Sequence, residues 1–144
     1  HGIYNNIVVE LKHPDIPLGE KQLSQVKKYM DVVLSVDDFN AANMQWEFYL
    51  IGNKFNQNGY IEREIENNKH HGLPSLVFNV KNYKIYVKTW SEVFADFEMR
   101  HAHLNRLLNI EREKLQIDYK NADQVLKQQE HNTAIMPKEI QIRV

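Results

Sequence analysis

The chain has 144 residues, of which 42% are hydrophobic and 26% charged, ordinary values for a globular protein with one core. It contains no cysteine, which excludes disulfides and thiolate metal sites, and no apolar run approaches the roughly 20 residues of a membrane span. The formal net charge of −1 gives no general attraction for nucleic acid, so a nucleic-acid function would have to depend on a local site. We expect a cytoplasmic protein.

The first predicted element is a strand from Ile3 to Lys12. Its centre, residues 7–9, is apolar and β-branched, which is typical of a strand buried on both faces. Pro14 cannot continue a central strand, and a turn follows it. The next element is a helix over about Glu20 to Val36. Its predicted apolar arc consists of Leu23, Val26, Met30, Val33 and Leu34.

The rest of the chain alternates between apolar segments and polar turns. Trp46 to Gly52 is rich in aromatic and branched residues and predicts a second buried strand. The later predicted elements are a short helix over Ile61 to Asn68, a hairpin of Leu76–Phe78 with Tyr83–Lys88, a helix capped by Ser91 and running to about Leu115, a helix over Tyr119 to Gln129, and a weak terminal strand over Glu139 to Val144. This order predicts a mixed α/β fold, and we expect residues 1–144 to form one domain.

The residues with the clearest chemical potential are Glu10 and Lys12. Two positions apart on a strand, they point to the same face, with their side chains about 5–7 Å apart. A carboxylate there suits Mg²⁺, and an ammonium beside it can orient the attacking water or neutralise developing negative charge. Leu11 is expected to point into the core, while its carbonyl serves as a further metal ligand.

The helix after this strand carries Gln25 and Tyr29 at the edge of its apolar arc, where a glutamine needs internal hydrogen-bond partners. The segment Ile-Val-Val-Glu-Leu-Lys, a turn and then a helix with this QxxxY spacing resemble the core of PD-(D/E)xK nucleases, in particular the RecB-like branch. The resemblance covers roughly residues 5 to 52.

This resemblance implies a restriction-endonuclease-like mixed sheet with flanking helices, here followed by a long C-terminal helix. It implies a catalytic site of Glu10, Lys12, Gln25 and Tyr29, with Mg²⁺ or Mn²⁺ held by Glu10 and the Leu11 carbonyl. The implied activity is hydrolysis of DNA phosphodiester bonds. The expected partners are DNA and further domains of a larger bacterial protein, of the kind found in defence systems, and a homodimer is left open.

The sequence departs from the family pattern at one ligand. The family's first acidic residue, an aspartate on the strand before the Glu-Lys strand, has no counterpart among the nine residues that precede Glu10. We therefore expect a nuclease-like domain truncated at its N-terminal side, or one that has lost this ligand. Asp15 and Glu20 are nearby acids that we do not assign to the metal. Two alternatives remain: an inactive nuclease-like fold that binds nucleic acid or assembles a larger protein, and a plain α/β interaction domain with an incidental ion pair.

The remaining histidines and lysines offer weaker indications of function. His13 is expected to be a solvated turn residue, and His101, which falls on an apolar stripe, a hydrogen-bonded core residue rather than a zinc ligand. The pair at 70–71 is a similarly weak zinc signal. Lys27 and Lys28, with lysines at 12 and 21, form either a basic lip for a phosphate backbone or a solvated helix face.

Overall fold

The computed structural model describes residues 2–134, so the strand predicted over Glu139 to Val144 lies outside the described residues. The chain divides into two compact units, His1–Phe97 and Glu98–Val144. The regular elements are β1 (Tyr4–Leu11), α1 (Glu20–Leu34), β2 (Met44–Gly52), α2 (Tyr60–Asn67), β3 (Leu76–Val80), β4 (Tyr83–Thr89) and α3 (Trp90–Ala134), with short 3-10 turns at Asp37–Asn40 and Lys69–His71.

The first unit is built on a four-stranded mixed sheet in the order β1-β2-β4-β3. β1, β2 and β4 are parallel, whereas β3 pairs with β4 as the predicted antiparallel hairpin. The parallel connection from β1 to β2 needs a crossover, which α1 supplies, and α1 contacts β2 and β4. The α/β class, the mixed sheet, the flanking helices and the long C-terminal helix are thereby confirmed.

The core lies between α1, α2 and one face of the sheet. Three residues of the predicted apolar arc, Leu23, Val26 and Met30, are buried, while Leu34 at the end of the helix is exposed. They pack with a larger buried set: Leu18, Phe48, Leu50, Ile61, Val77, Tyr83, Ile85 and Val87. Burial raises the pKa of the Tyr83 phenol, and the neighbouring Asn82 side chain opposes this shift.

The turn before α1 is anchored to the segment after β2. Leu18 donates its N–H to the Lys54 carbonyl at 2.9 Å and accepts from the Asn56 N–H at 2.7 Å. The Leu18 side chain covers Gly52 so closely that a Cβ there would lie 2.7 Å from it, so a larger residue at this position would have to displace the buried Leu18 side chain. The Gly19 N–H then donates to the Gln22 side chain at 3.1 Å, which satisfies one of the donors at the start of α1. This anchor fixes where α1 begins relative to the ends of β1 and β2.

The prediction that β1 is buried on both faces was wrong. β1 lies at the sheet edge, and the face that carries Ile7, Val9 and Leu11 is exposed. Leu11 is 56% exposed, so it does not enter the core as expected. Alternation along the strand puts these three side chains on the face opposite α1, while Val8 and Glu10 face the helix.

The C-terminal helix also differs from the prediction. Its cap is Thr89 rather than Ser91: the Glu92 N–H donates to Thr89 Oγ1 at 3.3 Å, and the Thr89 N–H donates to Glu92 Oε2 at 2.6 Å. This reciprocal arrangement is a capping box. The two helices predicted over 91–115 and 119–129 form one helix, because no glycine or proline interrupts Trp90–Ala134. Across residues 2–134, the helices are all too short or too polar to cross a membrane.

Candidate functional site

The site predicted at the end of β1 is organised around the Lys12 ammonium. Lys12 Nζ lies 2.7 Å from Glu10 Oε1, so the two side chains share one face as expected. The side chains are 13% and 25% exposed, for Lys12 and Glu10 respectively. This partial burial lowers the local dielectric while the carboxylate remains accessible to solvent.

The helix completes the arrangement. Lys12 Nζ also donates to Gln25 Oε1 at 2.6 Å, and Gln25 Nε2 donates to the Tyr29 hydroxyl at 2.6 Å. The prediction that Gln25 and Tyr29 turn towards Glu10 and Lys12 is confirmed. Four side chains from two elements thus form one continuous hydrogen-bonded chain, running from a carboxylate to a phenol.

Local periodicity explains why these residues meet. Glu10 is level with Leu50 of β2, and Leu50 with Val87 of β4, so it lies on the face against which α1 packs. The Lys12 N–H donates to the Ile51 carbonyl at 2.9 Å, which extends the β1–β2 alignment beyond the end of β1. Residues 25 and 29 are one helical turn apart and flank Val26 and Met30, which are buried.

The chain of bonds leaves reactive groups available. Two of the three ammonium N–H groups of Lys12 are used, so one remains for water or a phosphate oxygen. The Tyr29 oxygen accepts from Gln25, so its own O–H can donate outwards. Tyr29 is 36% exposed, which places this donor at the surface of the site.

A shallow surface depression adjoins the site on the α1 side. It is lined by Glu20, Lys21, Ser24, Gln25 and Lys28. Of the four predicted site residues, only Gln25 lines this depression, and Glu10 and Lys12 do not. The Lys27 ammonium lies elsewhere, 5.3 Å from the centre of the Phe78 ring, so Lys27 serves packing rather than a basic lip.

The donor atoms near Lys12 suit a hard cation only in part. Glu10 supplies a carboxylate, and its Oε2 is not used by the bond to Lys12. The Tyr4 N–H donates to the Asn43 carbonyl just before β2, and the Lys12 N–H donates to the Ile51 carbonyl of β2. The main-chain groups of the odd-numbered residues between them, including the Leu11 carbonyl, therefore point to the open edge of β1. Asp15 is 90% exposed and lies beside His13. Between residues 2 and 134, no three His, Asp or Glu side chains converge as a metal cluster.

The predictions for the histidines are confirmed only in part. His13 is exposed in its turn, as predicted, with Nδ1 3.4 Å from Asp15 Oδ2. His70 and His71 are exposed and in ring contact, and His71 Nδ1 lies 3.3 Å from the Asn79 amide. His101 is exposed, so the prediction of a core histidine was wrong.

One ion pair had no signal in the sequence. Lys88 Nζ lies 2.7 Å from Asp96 Oδ2, with the lysine side chain only 16% exposed. Lys88 is level with Ile51 and therefore points to the sheet face opposite the Glu10–Lys12 site. Eight residues separate the partners and the chain turns from strand to helix between them, so neither strand nor helix periodicity pairs them.

Comparisons with protein-family models, with curated proteins and with solved structures give no match in any of the three.

Proposed function

We propose that this chain is a PD-(D/E)xK-type, metal-dependent nuclease domain with a restriction-endonuclease-like fold, and that it hydrolyses DNA phosphodiester bonds. The observation that carries this proposal is the hydrogen-bonded chain from Glu10 through Lys12 and Gln25 to Tyr29. An incidental surface ion pair needs no internal glutamine. Here the ammonium is held from two sides by groups on different elements, which costs side-chain entropy and pre-organises the charge.

The geometry supports a separate role for Lys12, Gln25 and Tyr29 in this proposal. Lys12 directs its remaining N–H towards the attacked phosphate or the attacking water, and its charge stabilises the developing oxyanion. Gln25 positions that ammonium through its amide oxygen. Tyr29 donates its O–H to a neighbouring phosphate oxygen at the surface of the site.

Glu10 and the Leu11 carbonyl would hold Mg²⁺ or Mn²⁺, since both are oxygen donors of the kind that hard cations prefer. When bound, the ion acidifies a coordinated water and neutralises charge on the phosphate. Mg²⁺ is held by one or two carboxylates together with waters and substrate phosphates. Glu10 meets the lower limit, so we expect weak metal binding and weak cleavage by this chain alone.

A second function is favoured by the same ligand count. Within the part of the chain that the structure describes, Glu10 is the one carboxylate hydrogen-bonded to Lys12. A nuclease-like fold in which this set cannot sustain catalysis would still offer Lys12 and Tyr29 to a phosphate backbone. That fold would act as an inactive nucleic-acid-binding or assembly domain.

Metal-dependent cleavage of plasmid DNA separates these functions. We expect slow cleavage in Mg²⁺ or Mn²⁺, and Glu10→Ala and Lys12→Ala should each reduce it at least about 100-fold, since each removes electrostatic stabilisation of the transition state. Asp15→Asn is the matched control for Glu10, because it removes an exposed carboxylate from the adjacent turn. Lys69→Met is the control for Lys12, since Lys69 is an exposed lysine far along the chain.

Thermal melts of the four variants establish that they are folded. Cleavage that Lys12→Ala leaves undiminished contradicts the proposed roles. DNA binding without cleavage supports the second function. The absence of both binding and cleavage would refute the nuclease function and the nucleic-acid-binding form of the second function.

A further inference from the structure

The Lys12 ammonium is already bound to the carboxylate on which the proposed metal site depends. Lys12 Nζ lies 2.7 Å from Glu10 Oε1, a distance typical of a charge-assisted hydrogen bond. The lysine side chain is only 13% exposed, so solvent and salt screen its charge less than they would screen an exposed lysine. A metal ion that approaches Glu10 therefore meets a positive charge at the same carboxylate.

The charge balance of this pair opposes the binding of a second cation. The Glu10 carboxylate and the Lys12 ammonium cancel each other, so a divalent cation added to the pair leaves a surplus of two positive charges. At about 5 Å, the repulsion between a divalent cation and an ammonium lowers affinity by about tenfold even at the dielectric constant of water. Lys12 should therefore weaken metal binding in the absence of substrate.

Gln25 provides the ammonium with a second acceptor when the carboxylate is occupied. Its amide oxygen accepts from Lys12 Nζ at 2.6 Å, and its amide nitrogen donates to the Tyr29 hydroxyl at 2.6 Å, which fixes the orientation of the amide. A largely buried ammonium without an acceptor would be costly. Gln25 removes part of this cost, because it can keep Lys12 hydrogen-bonded after Glu10 has turned to a metal ion.

We propose that Lys12 and a divalent cation compete for the Glu10 carboxylate, and that Gln25 retains the ammonium at the site when the cation binds. This competition rests on the proposed function, because it requires Glu10 to bind metal, and it adds a means of regulating the site. In the free chain, Lys12 neutralises Glu10 and keeps metal affinity low. The two hydrogen bonds of Lys12 therefore have opposite effects on metal affinity: the bond to Glu10 lowers it, and the bond to Gln25 raises it.

Titration of the 144-residue chain with Mn²⁺ in the absence of DNA tests the competition, with free Mn²⁺ measured by electron paramagnetic resonance. Lys12→Met removes the competing charge and should tighten Mn²⁺ binding at least about tenfold. Lys12→Arg keeps the charge and should leave the affinity close to that of the wild type. Glu10→Gln removes the carboxylate and should abolish this binding.

Gln25→Met should change the affinity in the opposite direction. Without the amide oxygen, release of the Lys12 ammonium from Glu10 costs an additional hydrogen bond, so Mn²⁺ should bind about threefold to tenfold more weakly. A purely structural role of Lys12 and Gln25 would move the two methionine variants in the same direction. This contrast keeps the test decisive even if one of the variants is destabilised.

Lys28→Met is the matched control for Lys12→Met. Lys28 is an exposed lysine that lines the depression beside Gln25, so the control removes the same charge from outside the hydrogen-bonded chain. Because solvent screens an exposed ammonium, Mn²⁺ affinity should change by less than about twofold. A gain equal to that of Lys12→Met would mean that Mn²⁺ responds to net charge alone, and would overturn the competition. Thermal melts followed by circular dichroism establish that the variants are folded.

The remaining outcomes separate the competition from the proposed function. The competition is overturned if Lys12→Met binds Mn²⁺ no more tightly than the wild type, if Glu10→Gln leaves the binding unchanged, or if neither the wild type nor Lys12→Met binds Mn²⁺ detectably. Cleavage of plasmid DNA by a wild-type chain that shows any of these results refutes the competition alone. Tighter binding by Lys12→Met, with no cleavage by the wild type, supports the competition and refutes the nuclease function.

Discussion

The Gln25 amide has to be oriented in one way to join the two halves of the site. Its oxygen accepts from an ammonium and its nitrogen donates to a phenol, so a flipped amide would set two donors against each other at Lys12. A glutamine, unlike a glutamate, is neutral, so its oxygen is a weaker ligand for a hard cation than the Glu10 carboxylate. The residue therefore fixes Lys12 without changing the charge of the site.

Substitution at Gln25 and Tyr29 should separate positioning from folding. Gln25→Met should lower the free energy of unfolding by about 1 kcal/mol, because it removes a half-buried hydrogen bond to a charged group. Tyr29→Phe should change it by less than about 0.5 kcal/mol, since the hydroxyl is at the surface, yet it should slow metal-dependent cleavage. Urea denaturation and plasmid cleavage measure the two quantities. Normal cleavage by Tyr29→Phe would contradict the role of the hydroxyl in the site. A Tyr29→Phe variant that melts far below the parent would contradict the expectation that the hydroxyl contributes little to stability.

Each pair of site residues was predictable from local periodicity, whereas the contact between the two pairs was implied only by the resemblance to PD-(D/E)xK nucleases. A spacing of two on a strand and of four on a helix places each pair on one face whatever surrounds them. Leu11 was not predictable in the same way. Its exposure depends on β1 being an edge strand, and strand order is a property of pairings between distant segments.

At the scale of the elements, the junction of β4 and α3 depends on one threonine. Thr89 ends the strand and caps the helix, and Thr89 and Glu92 exchange hydrogen bonds through backbone and side chain. The signal was present in the sequence as Thr-Trp-Ser-Glu, the spacing of a capping box. Placing the cap at Ser91 missed it, because Ser91 is also a favourable capping residue.

The two positions give opposite expectations on substitution. Thr89→Ala should lower the free energy of unfolding by about 1 kcal/mol, since it leaves the Glu92 N–H without its partner. Ser91→Ala should be neutral or slightly stabilising, because Ser91 is exposed inside the helix and alanine has the higher helix propensity. Chemical denaturation followed by circular dichroism compares the two. If Ser91→Ala proves the more damaging, the helix begins later than the structure shows.

At the scale of the whole molecule, the numbers of basic and acidic residues nearly balance, which gives a net charge of −1. This net charge does not show how the charged residues are arranged near the site. Lys21 and Lys28 line the depression beside Gln25, together with one acidic residue, Glu20. The net charge from the sequence correctly excluded a generally basic protein. The net charge could not place these lysines beside Gln25, because their position depends on how the turn at Leu18 anchors α1.

The salt dependence of DNA affinity tests whether this small basic surface contacts the phosphate backbone, an expectation that depends on the proposed function. Each phosphate contact contributes about 0.9 to the slope of log K against log salt concentration, because counterions are released. The double variant Lys21→Gln/Lys28→Gln should therefore reduce the slope by about 1.8 and weaken binding at low salt.

The control is Lys120→Gln/Lys127→Gln, which removes the same charge from α3 and should leave the slope unchanged if DNA binds beside α1. Fluorescence anisotropy of a labelled duplex, recorded without divalent metal from about 50 to 200 mM salt, gives both slopes. If both double variants reduce the slope equally, DNA affinity depends on net charge alone. That result would contradict a DNA contact at the α1 surface.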